Sequence, residues 1–105
     1  MAWVYLILAG LFEIGWPVGL KMAQDDKTRI LGLSIALVFM SVSGFLLWLS
    51  QKQIPIGTSY AVWTGIGAAG TFFVGVFFYG DATSLGRYLG IILIIAGVAT
   101  LKLAS

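Results

Sequence analysis

Four apolar runs, each ended by only a few polar residues, decide what this chain can become. Residues 2–20 hold one charge, Glu13, before Lys21 closes the run. Residues 30–51 and 54–80 hold none, and 88–101 are apolar. The breaks between them are QDDKTR (24–29), QKQIP (51–55) and GDATSLGR (80–87). A helix needs about 20 residues to cross a hydrocarbon core of about 30 Å. The first three runs are long enough. The uncharged part of the fourth would rise only about 21 Å, so Arg87 and Lys102 must reach the two interfaces with their long side chains. The expectation is an all-α membrane protein, one domain over 1–105. Its helices fall near 2–22, 30–50, 55–79 and 86–103. Connections this short make successive helices antiparallel neighbours.

Composition removes the competing classes. The chain is 60% hydrophobic and 10% charged, too few charges to coat a small soluble domain. A net charge of +2 without a basic cluster gives no case for nucleic acid. With no Cys and no His, disulfides, thiol catalysis and most zinc or haem sites are excluded. No metal or cofactor is expected. There is one acid in the spans and no nucleophile–base pair, so an enzyme is not expected either. The N-terminal run lacks a basic start and is interrupted by Glu13, so it reads as a retained first span, not a cleaved signal.

Orientation is weakly specified. Lys21, Lys27, Arg29 and Arg87 fall on one side of the membrane, Lys52 and Lys102 on the other. Positive residues set topology, and so small a bias allows either one orientation or insertion both ways up.

Glu13 lies about ten residues beyond Trp3, a rise of about 15 Å, near mid-membrane. An acid there costs on the order of 2.5–3.5 kcal/mol. Its burial costs less when it binds a proton, or a cation in the proton's place. The plainer alternative is a protonated Glu hydrogen-bonding two helices. Trp16 stands one turn away on nearly the same face; its ring could pack against a flat cation and its N–H could bond the carboxylate. Pro17 has no amide hydrogen, so the Glu13 carbonyl loses its helical partner. That is either a tolerated kink or a second acceptor for a ligand rich in N–H groups.

The other helices offer quieter features. Gly57, Ala61, Gly65 and Ala69 make one small-residue row on the third helix, and Gly67, Thr71 and Gly75 a second. Such rows serve close packing, or a bend at Gly65 and Gly67. Tyr60 and Trp63 stand three apart near that helix's start, where aromatic residues are commonly interfacial anchors. Trp3, Tyr5, Tyr88 and Trp48 read as anchors. Ser41 and Ser43 read first as bonding their own helix. In the fourth helix Gly90 and Gly97 are seven apart with Leu93 and Ile94 between them, a seam for pairing with another helix.

Taken together, the sequence resembles the small multidrug resistance transporters over essentially its whole length. The resemblance rests on four short spans, a lone Glu in the first, QIPIGTSYAVWTGIG (53–67) and GIILIIAGV (90–98). Trp16 after FEIG, Ser43, AVWTGIGA (61–68) and the closing LK (101–102) are similar to the guanidinium-exporting subtype. The resemblance implies an antiparallel, dual-topology homodimer in the bacterial inner membrane, exporting guanidinium ions against protons. It implies that Glu13 binds proton and substrate in turn, and that Trp16 and Ser43 orient it by hydrogen bonds. Tyr60 would act at the dimer gate and bond to Glu13. Trp63 would pack against the site, and Gly90 and Gly97 would join the subunits. Pro17, Ser59 and Asp81 depart from the usual pattern. Two alternatives remain: an exporter of quaternary ammonium or polyaromatic cations, and a proton-carrying or structural membrane subunit.

Overall fold

The computed structural model describes residues 1–104. It has four long helices: α1 (Ala2–Met22), α2 (Arg29–Ser50), α3 (Ile56–Phe78) and α4 (Leu85–Ala104). All four are long and apolar enough to cross a membrane. α4 takes in both Arg87 and Lys102, and its 20 residues rise about 30 Å.

The connections hold because their side chains satisfy the helix ends. After α1, a single 3-10 turn (Asp26–Thr28) is capped by Asp25, whose carboxylate accepts the Lys27 N–H at 3.0 Å. Thr28 Oγ1 donates to the Met22 carbonyl at 2.6 Å, and Arg29 Nε to that of Ala23 at 3.2 Å. Pro55 stands just before α3, where its fixed φ and missing N–H cost nothing. Ser84 Oγ accepts the Arg87 N–H at 3.2 Å and caps α4.

α1 is the central element. It crosses α2 at Gly19 and Gly32, where backbone meets backbone. A Cβ on Gly19 would lie 2.6 Å from the Gly32 carbonyl oxygen, so no larger residue fits without parting the helices. Further along, Phe12 packs on Phe39 with ring centroids 5.5 Å apart. On its other side α1 meets α3, with the Ile66 side chain lying over Gly10 and that of Ile14 over Gly70. Leu6, Ala2, Ile54 and Val62 form the small buried core, flanked by Trp3, Trp63 and Leu101.

α4 has one substantial neighbour, α3. Ile91 is its only buried residue. Leu89, Ile92, Leu93 and Ile95 are exposed, and nothing lies within 4 Å of where a Cβ would stand on Gly90 or Gly97. Of the seam expected in α4, Gly90, Leu93 and Gly97 are left open by the chain's own helices, while Ile94 lies against α3 at Gly65. The result is a flat plank, with extents of 44 × 34 × 16 Å.

Lysines mark both ends of this plank. Lys102 Nζ lies 5.1 Å from the Trp3 ring centre and Lys52 Nζ 4.4 Å from that of Trp48, so both tryptophans sit with cations at one end, as anchors do. Lys21 lies 5.8 Å from the Tyr79 ring centre at the other. Pro17 and the glycines Gly65 and Gly67 lie within unbroken helical spans.

Candidate functional site

The site is built around the acid in α1. Its neighbour is chosen by helical spacing: Trp16, three residues on, donates its indole N–H to Glu13 Oε1. The side chain lies against α3 where that helix has no side chain at all. A Cβ on Gly67 would come within 2.5 Å of Glu13 Cγ, so the glycine provides the seat for the acid.

Around this pair runs a cleft of about 260 Å³, lined by Glu13, Trp16, Pro17, Thr64, Gly67, Ala68 and Thr71. The four α3 residues follow the spacing of one helix face. Thr64 and Ala68 were not singled out by sequence reasoning. The signal was available, since they share a face with Gly67 and Thr71, but nothing in the sequence said which face meets Glu13. Two hydroxyls, one carboxylate and an indole in an otherwise apolar cleft suit a small cation that carries several N–H donors.

Ser43 is placed one layer away. It is fully buried, donates to the Ala9 carbonyl at 2.7 Å and accepts from Trp63 Nε1 at 2.8 Å. It makes no bond to Glu13. Ala9 is four residues before Glu13, so its carbonyl is the one towards which the Glu13 N–H is directed in a helix. Ser43 and Trp63 thus tie α2 and α3 to the turn of α1 that carries the acid. The expectation that Ser43 bonds its own helix fails because this hydroxyl faces α1; Ser41 does bond back, to the Leu37 carbonyl at 2.8 Å.

Tyr60 does not meet Glu13 within one chain. It is 57% exposed, its ring 5.5 Å from that of Trp63. It opens onto a groove between α3 and α4 that is also lined by Leu93, Ile94 and Gly97. This groove shares Thr64 and Ala68 with the Glu13 cleft. The aromatic gate candidate, the α4 seam and the acid therefore border one continuous surface of α3.

The sequence profile described as Small Multidrug Resistance protein matches residues 1–94. A protein named guanidinium exporter from Yersinia pseudotuberculosis is 49% identical over 105 residues, covering the whole of both chains. One of the same name from Proteus vulgaris is 43% identical, again over the whole of both. Another from Salmonella typhimurium is 41% identical over all of this chain and 99% of its own. With four membrane-crossing helices arranged around a single mid-span acid and a profile match over nearly its whole length, the chain belongs to the Small Multidrug Resistance protein family.

Proposed function

We propose that this protein exports guanidinium and small substituted guanidinium ions across the bacterial inner membrane in exchange for protons. The observation that carries the reading is the Glu13–Trp16 pair seated on Gly67. It is supported by the names of full-length relatives at 41–49% identity. Guanidinium is planar and offers N–H donors that match a carboxylate two at a time. It does not lose its proton in a protein site, so it competes with protons for Glu13 instead of delivering one. A site that holds either ion, opened to each side in turn, exchanges them. The protein is a transporter and not an enzyme in this reading.

The working unit is an antiparallel homodimer inserted both ways up. One subunit is a thin plank with an open α4 seam, and its cleft is open along α3. A second copy joined through Gly90, Leu93, Ile94 and Gly97 closes the unit. Two orientations of one chain then replace the inverted repeats of larger transporters. Tyr60, turned away from its own Glu13, serves the acid of the other copy as a gate. Trp63, held by Ser43, backs that gate. Pro17 borders the cleft beside Glu13; the carbonyl it frees is a second acceptor for a cation's N–H groups. Gly65 and Gly67 let α3 bend as the cleft changes sides.

The test is electrical. Purified protein in proteoliposomes on a solid support gives a transient current on addition of guanidinium or methylguanidinium, and tetraphenylphosphonium competes poorly. Strong tetraphenylphosphonium binding with no guanidinium current assigns the protein to aromatic drug cations. Copurification with a larger partner and no current at all would make it a subunit of something else.

A further inference from the structure

A second hollow lies beyond Glu13, towards the end of the molecule where α1 and α3 finish. Its volume is about 200 Å³, and Pro17, Val18, Lys21, Thr71, Val74, Gly75, Tyr79 and Asp81 line it. Pro17 and Thr71 are also walls of the Glu13 cleft, so the two spaces meet at these residues. An ion moving between Pro17 and Thr71 from the cleft towards this end would enter the second hollow.

The hollow is charged, and the fold arranges that charge with care. α3 ends at Phe78, and Gly80 adopts a left-handed φ of 67°, which glycine accepts without strain. The chain turns back on itself there. Tyr79 and Asp81 both donate their N–H to the Gly75 carbonyl, at 3.1 and 3.0 Å. The turn brings the Asp81 carboxylate down onto Gly75, in the space a Cβ would need. Asp81 forms no ion pair among the described residues, whose one salt bridge joins Arg29 and Asp26. Lys21, on the opposite wall of the same hollow, is held near the Tyr79 ring and forms no ion pair with Asp81.

We propose that Asp81 and Tyr79 form an outer cation-binding vestibule, with the Lys21 ammonium as its resident placeholder. The proposal rests on the export reading above. A carboxylate and an aromatic ring at the mouth of a cleft are what a planar cation needs to pause on its way to or from Glu13. An arriving guanidinium takes the ring face and the carboxylate, and Lys21 swings out to water on its flexible stem. Asp81 is thus a residue that raises local cation concentration and entry rate, not one that holds the ion at the exchange site. A rim charge of this kind acts on association and on its salt dependence more than on the bound state.

The experiment compares wild type, Asp81→Asn and Lys21→Gln in proteoliposomes, reading guanidinium-driven currents over a range of concentrations at low and high ionic strength. Asp81 is exposed and its side chain makes no bond the fold needs, so Asp81→Asn is expected to yield folded protein; Lys21→Gln is a second, independent probe. At low salt Asp81→Asn raises the KM for guanidinium about threefold and leaves the maximal current unchanged. Lys21→Gln lowers KM. Both differences shrink at about 0.5 M salt, where screening acts over only a few ångströms. Unchanged KM in Asp81→Asn at low salt would overturn the vestibule while leaving guanidinium export standing, as would a KM shift that ignores salt. A wild type that gives no guanidinium current overturns both.

Discussion

The indole N–H of Trp63 on α3 donates to the hydroxyl of Ser43 on α2, which donates in turn to the Ala9 carbonyl on α1. One buried hydroxyl thus joins three helices one turn from the acid. Removing it leaves the Trp63 indole N–H without its partner and takes one of two bonds from the Ala9 carbonyl, which keeps the Glu13 N–H of its own helix. Ser43→Ala should destabilise the protein by about 1–3 kcal/mol, seen as a lower thermal unfolding midpoint in detergent. An unchanged midpoint would mean that water or a rotated Trp63 restores the bonds.

Trp16 contributes a ring and a donor to Glu13, and the two can be separated. Trp16→Phe keeps most of the packing and loses the N–H. A hydrogen bond to a charged group contributes about 1.5–3 kcal/mol, so guanidinium affinity should change by roughly tenfold or more. Binding titration of Trp16→Phe against wild type measures it. Equal affinities would reduce Trp16 to a packing residue.

Gly67 is required for a steric reason. Gly67→Ala places a methyl group against Glu13 Cγ, which must move the acid out of its seat. Transport should fall by tenfold or more while the protein remains folded and monodisperse. Gly90→Ala is the contrast, since within one chain its methyl group meets nothing. Any defect in that variant then reports on contact with a second copy, and chemical cross-linking in liposomes reads it directly.

Topology can be measured cleanly because the chain has no cysteine. In Gln24→Cys, the introduced thiol lies in the exposed connection after α1. An impermeant thiol reagent should label about half of it from outside intact cells if both orientations are inserted. Labelling of nearly all or nearly none would establish one orientation.

The four-helix architecture was legible because charge in this chain is almost confined to the connections, and apolar length alone then marks the spans. The Glu13–Trp16 bond was legible for a local reason, since three-residue spacing within one helix fixes which side chains meet. Ser43 was not legible in the same way. Its partners are 34 residues back and 20 residues on, and only the packing of α1, α2 and α3 decides which way its hydroxyl faces. Thr64 and Ala68 escaped notice because their face of α3 is defined by where Glu13 docks. Asp81 read as a loop charge; its place beside Gly75 depends on the turn at Gly80, which sequence alone did not set.

The central claim is that Glu13 exchanges a cation for protons. The most direct measurement follows internal pH in proteoliposomes carrying a guanidinium gradient, for wild type and Glu13→Gln side by side. The account predicts proton movement opposite to guanidinium in wild type and none in Glu13→Gln, which cannot ionise. Proton-coupled guanidinium flux that persists in Glu13→Gln, or wild-type guanidinium flux with no proton movement, would contradict it.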